Sequence, residues 1–156
     1  MITKSHIISA ISKGAMIGTG IVFGINIVCL AIAYVLNKET PSSEEIGIIT
    51  IILALVGIGD LIAGFILKIK MLSPLFAGDT EVNEGKLWQH TLRATVIVAA
   101  ICGALPIYGM VAYLIEGNMN TMVAFAMCSL AGFMVLRLRP RDFAKLKLSE
   151  YRSDFE

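Results

Sequence analysis

A run of apolar residues at positions 46–67 constrains this chain more than any other feature of its sequence. The run contains 22 residues, and its only polar side chains are Thr50 and one carboxylate, Asp60. At about 1.5 Å per residue, a helix of this length covers roughly 33 Å, which is enough to cross the hydrocarbon core of a bilayer. Because a charged side chain in hydrocarbon is costly, Asp60 is predicted to face other helices, bind a cation or carry a proton.

The composition indicates a membrane protein along the whole chain. Of its 156 residues, 56% are hydrophobic and 16% are charged, and the mean hydropathy is +0.79. Soluble domains are rarely so apolar. Cys29, Cys102 and Cys128 all fall inside apolar runs without the spacing of metal ligands, so we interpret them as small buried hydrophobic residues. A single membrane domain is predicted, without a soluble second domain.

Four apolar segments predict an all-α fold, an integral membrane four-helix bundle. The predicted spans are residues 14–36, 46–67, 94–115 and 119–136. Pro106 interrupts the third span, and because membrane helices tolerate proline, a kink is expected there rather than a break. The polar stretch 71–93 is predicted to be a surface loop that rests partly in the membrane interface, with Trp88 as an anchor.

The C-terminal tail, residues 140–156, is predicted to form an amphipathic helix on the membrane surface. Its apolar residues recur at helical spacing and form one face, made of Ala144, Leu148, Tyr151 and Phe155. The basic residues predicted to contact anionic lipid are Arg137, Arg139, Arg141, Lys145 and Lys147. A docking face for a soluble partner is the competing interpretation.

Lys and Arg are distributed unevenly between the two ends of the predicted bundle. Twelve of the 13 basic residues lie on the side of the termini, whereas only Lys38 lies on the other side. Cytoplasmic loops of membrane proteins carry an excess of Lys and Arg. The sequence therefore predicts a multi-pass protein of the cell (inner) membrane with both termini in the cytoplasm, and it predicts no nucleic-acid partner.

Glycines recur along the predicted spans at spacings of two and four residues. Small residues at i and i+4 let the backbones of membrane helices approach closely, where apolar burial alone cannot drive association. The glycines predicted to pack helices together are Gly14, Gly18, Gly20, Gly24, Gly57, Gly64, Gly103 and Gly109.

A local repeat favours a duplicated two-helix hairpin. Short matches recur at an offset of 79 between the first and third spans, and at an offset of 68 between the second and fourth. The halves have diverged, because Asp60 corresponds to Cys128 and Asn26 to Leu105. Chance similarity between apolar segments is the alternative explanation.

Asp60, Thr19 and Asn26 are the candidate ion-binding residues. Counted inward from the charged ends of their spans, Asp60, Thr19 and the backbone beside Gly103 lie at similar depths. Carboxylate, hydroxyl and carbonyl oxygens together would suit a proton or a small cation. The alternatives are structural: a protonated Asp60 hydrogen-bonded to a neighbouring helix, and an interhelical hydrogen bond from Asn26.

The segment Gly-Ala-Leu-Pro-Ile-Tyr-Gly at residues 103–109 resembles the second helix of the proteolipid subunits that form the rotor ring of rotary ATPases. In that family a Glu-Ala-x-x-Ile-Tyr-Gly pattern carries the ion-binding glutamate, and the preceding helix is rich in glycine. The resemblance covers residues 46–115 and implies proton or cation handling. Gly103 stands where the family has its carboxylate, so Asp60 on the adjoining helix would have to supply that group.

The sequence contains no Ser/His/Asp or Cys/His arrangement, no glycine loop that cradles phosphate and no paired carboxylates in a span. We therefore predict no enzyme, no cofactor and no metal site. The first functional hypothesis is a structural or assembly subunit of a homo-oligomer or of a larger complex with other membrane subunits. The alternative is a proton- or cation-handling membrane protein, a proteolipid-like channel or transporter subunit that uses Asp60.

Overall fold

The computed structural model describes residues 4–36, 47–75 and 84–143, and in these residues the chain is almost entirely helical. The four helices are α1 (Lys4–Leu36), α2 (Ile48–Leu72), α3 (Glu84–Glu116) and α4 (Met119–Leu136). Two short 3-10 turns follow α2 and α4, at Ser73–Leu75 and Pro140–Phe143. All four helices are long and apolar enough to cross a membrane. The predicted all-α, four-helix membrane fold is confirmed.

The four helices pack around α3. Helix α3 contacts α1, α2 and α4, and α4 also contacts α1 and α2, whereas α1 and α2 do not form a packed pair. Helices α1 and α2 therefore flank the α3–α4 pair on opposite sides. We call the end where α1 and α3 begin the inner end of the bundle, and the opposite end the outer end.

Residues 84–93 correct the prediction of a surface loop over 71–93. Helix α2 continues to Leu72, and α3 already begins at Glu84. The first turns of α3 bury Leu87 and Thr91 at helical spacing, although polar residues between them lower the average hydropathy that defined the predicted span. Helices α1 and α3 have 33 residues each, about 50 Å, and therefore exceed the thickness of a hydrocarbon core.

An apolar cluster packs the inner end of the bundle. It joins the beginnings of α1 and α3 to the end of α2, the turn that follows α2 and the segment after α4. Its buried members are Ile7, Leu72, Leu75, Leu87, Ala94, Leu138 and Phe143. Because side chains from all these parts of the chain meet here, the segment after α4 is held against the bundle as far as Phe143. The predicted tail helix, including Lys145 and Lys147, otherwise lies outside the described residues.

Helix α3 is continuous through Pro106, which is fully buried, in agreement with the expectation that this proline does not break the helix. Gly117 then reverses the chain in a left-handed conformation with φ of 72°, which glycine adopts without steric cost. Asn118 caps α4, since its side-chain oxygen accepts hydrogen bonds from the backbone N–H of Asn120 at 3.0 Å and of Thr121 at 3.3 Å. These local features place α4 antiparallel to α3 after a connection of two residues.

Six of the eight predicted packing glycines lie against another helix. An added Cβ would meet a side chain of a neighbouring helix at each of them, namely Gly14, Gly18, Gly57, Gly64, Gly103 and Gly109. Gly20 and Gly24 pack against no other helix within the described residues, because both are exposed on the side of α1 that faces away from α3 and an added Cβ would meet no described side chain within 4 Å. Cys29 and Cys102 are buried, whereas Cys128 is exposed and so departs from the interpretation as a buried residue.

Candidate functional site

Asp60 lies at the middle of α2, 12 residues from either end of the helix. That position is about 18 Å along the axis from each end and therefore close to the mid-depth of a bilayer. The side chain is half-buried at the edge of the narrow stripe, containing Gly57 and Gly64, by which α2 packs on α3. The only carboxylate in the middle of a described span thus faces the boundary between two helices.

Tyr108 of α3 is the hydrogen-bond partner of this carboxylate. Its Oη donates to Asp60 Oδ2 at a distance of 2.6 Å. Hydrogen bonds to an ionised acceptor are shorter and stronger than neutral ones, and this distance falls in the short range. Tyr108 itself is half-buried, so the pair lies where the α2–α3 interface meets its surroundings.

Sequence reasoning included Tyr108 in a motif but did not identify it as the partner of Asp60. The structure shows the register of the two helices at the outer end, where Glu116 accepts a hydrogen bond from Thr50 N. Asp60 follows Thr50 by ten residues and Tyr108 precedes Glu116 by eight, and these two helices are antiparallel. Asp60 and Tyr108 therefore differ in depth by only about 3 Å.

The structure does not bring Thr19 and Asn26 to Asp60. Thr19 is exposed on α1, and the described residues of α1 and α2 form no extensive contact with each other. Asn26 is 4% exposed, and its Nδ2 donates to Ser129 Oγ of α4 at 3.1 Å and to Val22 O at 2.9 Å. Asn26 thus makes an interhelical hydrogen bond between α1 and α4, as in the structural interpretation of this residue.

Within the described residues, the one oxygen in hydrogen-bond contact with the Asp60 carboxylate is the Tyr108 hydroxyl. Near Gly57, one helical turn away, the neighbouring side chains are Leu105, Tyr108 and Phe125. Within the part of the chain that the structure describes, no three His, Cys, Asp or Glu side chains form a possible metal site. The carboxylate and phenol can together hold a proton or accept a donor group from another molecule.

An outer clamp, which we define as Glu116 with Gly47 and Thr50, holds the N-terminus of α2. Glu116 Oε2 accepts a hydrogen bond from Gly47 N, and Oε1 accepts one from Thr50 N, each at 3.1 Å. The Thr50 hydroxyl also donates to Oε2. A helix N-terminus has unpaired N–H groups and a partial positive charge, so a carboxylate stabilises it. No sequence pattern had linked Glu116 to α2.

An inner clamp, which we define as Lys68 with Arg137 and Asp142, holds the other end of α2. Lys68 is 7% exposed, and its Nζ lies 2.8 Å from Asp142 Oδ2 and donates to Arg137 O at 3.4 Å. Asp142 Oδ2 also accepts a hydrogen bond from Arg139 N at 2.8 Å. Breaking a buried pair by removing one partner leaves an uncompensated charge, so this contact fixes the segment after α4 to α2.

The basic residues predicted at the membrane surface are described only in part. Arg137 is exposed at the end of α4, and Arg139 is half-buried with its Nη2 donating to Met134 O at 3.2 Å. The backbone of Arg141 belongs to the 3-10 turn that follows. Both described side chains lie at the inner end, beside the inner clamp.

Comparison of the chain with protein-family models, with curated proteins and with solved structures finds no match. The resemblance of residues 46–115 to rotor-ring proteolipids therefore stays a prediction.

Proposed function

We propose that this protein is a structural or assembly subunit of a membrane complex, joining copies of itself or other membrane subunits through the outer face of α1. The observation that carries the proposal is the position of Gly20 and Gly24. They are spaced by four residues, both are exposed, and among the described residues no atom outside the helix lies within 4 Å of the Cβ that either would carry.

These two glycines pack against no other helix in the part of the chain that the structure describes. A glycine inside a helix costs about 1 kcal/mol relative to alanine, and the other glycines of α1 offset this cost by contacts with Thr95 and Phe133. A pair of glycines at i and i+4 on an open face allows a second helix to approach closely enough for backbone contact. The face therefore suits a helix from another subunit.

Substitution of both glycines by isoleucine tests the proposal. In Gly20→Ile with Gly24→Ile, the added side chains would hold a second helix away, and we expect self-association to weaken about tenfold. Fluorescence energy transfer between labelled copies in lipid vesicles measures this change. The matched control is Ala124→Ile, which adds comparable bulk on the exposed face of α4. Equal energy transfer in all three proteins, together with an unchanged complex in native membranes, would contradict the assembly role.

A second candidate function is proton or cation handling at Asp60. The observation that favours it is the short hydrogen bond from Tyr108 to a half-buried carboxylate at mid-helix. Asp60→Asn keeps the shape of the side chain but cannot ionise, so under this hypothesis proton or sodium flux in reconstituted vesicles is lost. Equal flux from the variant and the parent would eliminate ion handling and leave the assembly role untouched.

A further inference from the structure

Asp60 lies on the flank of α2 that faces away from α4. The packed centre of α2 is marked by Gly57 and Gly64, which lie against Leu105 and Ile101 of α3. To one side of the line through Gly57 and Gly64, Leu61 contacts Gly132 of α4. Successive residues of a helix are about 100° apart, so Asp60 is on the opposite flank. Its side chain therefore borders a groove between α2 and α3 that α4 does not cover.

The two walls of this groove are apolar and contain small residues. Beyond Asp60 the same flank of α2 carries the exposed residues Val56, Ala63 and Leu67. On α3, Tyr108 lies at the groove, Ala104 is half-buried beside it, and Ala100 and Val111 are exposed beyond. We call this surface, with its six apolar residues and the Asp60–Tyr108 pair, the α2–α3 groove. Alanines on both walls leave room for the close approach of another helix.

No cationic side chain pairs with the Asp60 carboxylate within the described residues. Its one hydrogen bond there comes from the neutral Tyr108, whereas an ionised carboxylate can accept about four. The nearest cation along α2 is Lys68, two turns away, and it is already paired with Asp142. Lys13 and Arg93 lie toward the inner end of α1 and α3. A carboxylate at this depth normally pairs with another polar group, and the bundle supplies only one donor.

We propose that the α2–α3 groove binds a transmembrane helix of a different subunit, and that this helix presents a Lys or Arg side chain to Asp60 at mid-membrane. The proposal rests on the assembly role and names the partner by charge complementarity. A second copy of this chain does not fit, because none of its described helices has a Lys or Arg near mid-depth. The partner is therefore a basic, otherwise apolar membrane helix.

A pair of synthetic membrane peptides tests the charge requirement on the full chain. Each peptide has about 21 Leu and Ala residues, long enough to cross the bilayer, with one cysteine near its centre. One peptide carries a central Lys and its twin a central Leu. The protein carries Ala63→Cys, and its three native cysteines are replaced by alanine. The protein and one peptide at a time are reconstituted together in phosphatidylcholine vesicles. Disulfide cross-linking reports occupancy of the groove.

We expect the Lys peptide to cross-link at least about fivefold more than the Leu peptide, because a polar contact between membrane helices contributes at this level. The excess should disappear when Asp60→Asn is added. It should also be absent from Ile62→Cys, which places the thiol on the exposed face of α2 outside the groove. Because the two peptides are compared on a protein that keeps Asp60, the result does not depend on the folding of the Asp60 variant.

Two results would overturn the proposal. Equal cross-linking of the two peptides would mean that Asp60 does not select a basic helix. Cross-linking of Ala63→Cys to a second copy, without any peptide, would mean that the chain itself fills the groove. The assembly role is tested separately by the variant with Gly20→Ile and Gly24→Ile. If that variant still weakens self-association, either result above contradicts only the proposed binding of a basic helix in the groove.

Discussion

Helices α1 and α2 flank the α3–α4 pair on opposite sides, but they are attached to it in different ways. Helix α1 buries a long stripe of small and apolar residues that includes Ala10, Val22 and Ala33. Helix α2 buries only five residues, of which two are glycines and two are the polar Thr50 and Lys68. Polar contacts hold α2 at three depths: the outer clamp, the Asp60–Tyr108 hydrogen bond and the inner clamp.

The difference shows how a helix can be held in a membrane without a large apolar interface. Lipid tails are as apolar as leucine, so burial of apolar side chains drives little association between helices there. Close packing along a long stripe is the main contact of α1, as at Gly18 against Phe133, whereas α2 adds directional polar contacts to a narrow packed stripe. Perturbing one kind of contact should therefore affect one helix more than the other.

The largest expected effect comes from the inner clamp. In Lys68→Ala, Asp142 loses its partner, and we expect a loss of about 3 kcal/mol in the free energy of unfolding because a half-buried charge is left unpaired. Thermal unfolding of the monomer in detergent measures the loss. Lys70→Ala, two residues away and exposed, is the matched control and should be close to neutral. Equal melting temperatures for the two variants would show that the inner clamp does not stabilise the attachment of α2.

A smaller effect is expected on the side of α1. In Gly18→Ala the added methyl group would lie 2.7 Å from the ring of Phe133, so packing must shift at a cost of about 2 kcal/mol. Gly20→Ala on the open face has no such neighbour and should stabilise the monomer by about 0.5–1 kcal/mol through helix propensity. If both substitutions change unfolding in detergent equally, close packing does not explain how α1 is held.

The outer clamp should contribute about 1 kcal/mol. Glu116→Gln keeps the side-chain shape but removes the charge that faces the N-terminus of α2, so the first turn of α2 should open more often. Hydrogen exchange measured by mass spectrometry should be faster over residues 48–52. Exchange at the far end of α2, near Leu72, is the internal control and should not change. Faster exchange along the whole helix would show that the clamp acts globally rather than locally.

The smallest expected effect comes from the contact at mid-helix. Tyr108→Phe removes only the hydroxyl that donates to Asp60, and hydrogen bonds between membrane helices average about 0.6 kcal/mol. A double-mutant cycle with Asp60→Asn isolates the coupling between the two side chains. Ser129→Ala, which removes the partner of Asn26 on the α1 side, should be additive with both changes. Energetic coupling between Ser129 and Asp60 would show that the contacts of α1 and those of α2 are not independent.

The sequence was sufficient to predict four membrane helices, because they follow from hydrophobic length. From the cost of charge in lipid it offered three alternatives for Asp60, of which contact with another helix is one. It did not predict which residue meets Asp60. That contact depends on the register between α2 and α3, and hydropathy carries no information about register. The helical residues 84–93 were missed for a related reason, since only their tertiary contacts show that Leu87 is buried.

The reversal at Gly117 has a consequence for the biogenesis of the protein. Only Gly117 and Asn118 separate α3 from α4, so the two helices can enter the bilayer together as one hairpin. Few hydrophilic groups have to traverse the membrane for this pair, and the Asn118 cap already satisfies two backbone amides of α4. The α3–α4 hairpin is thus suited to insertion without export of a hydrophilic domain. Once inserted, it provides the surface against which α1 and α2 can pack.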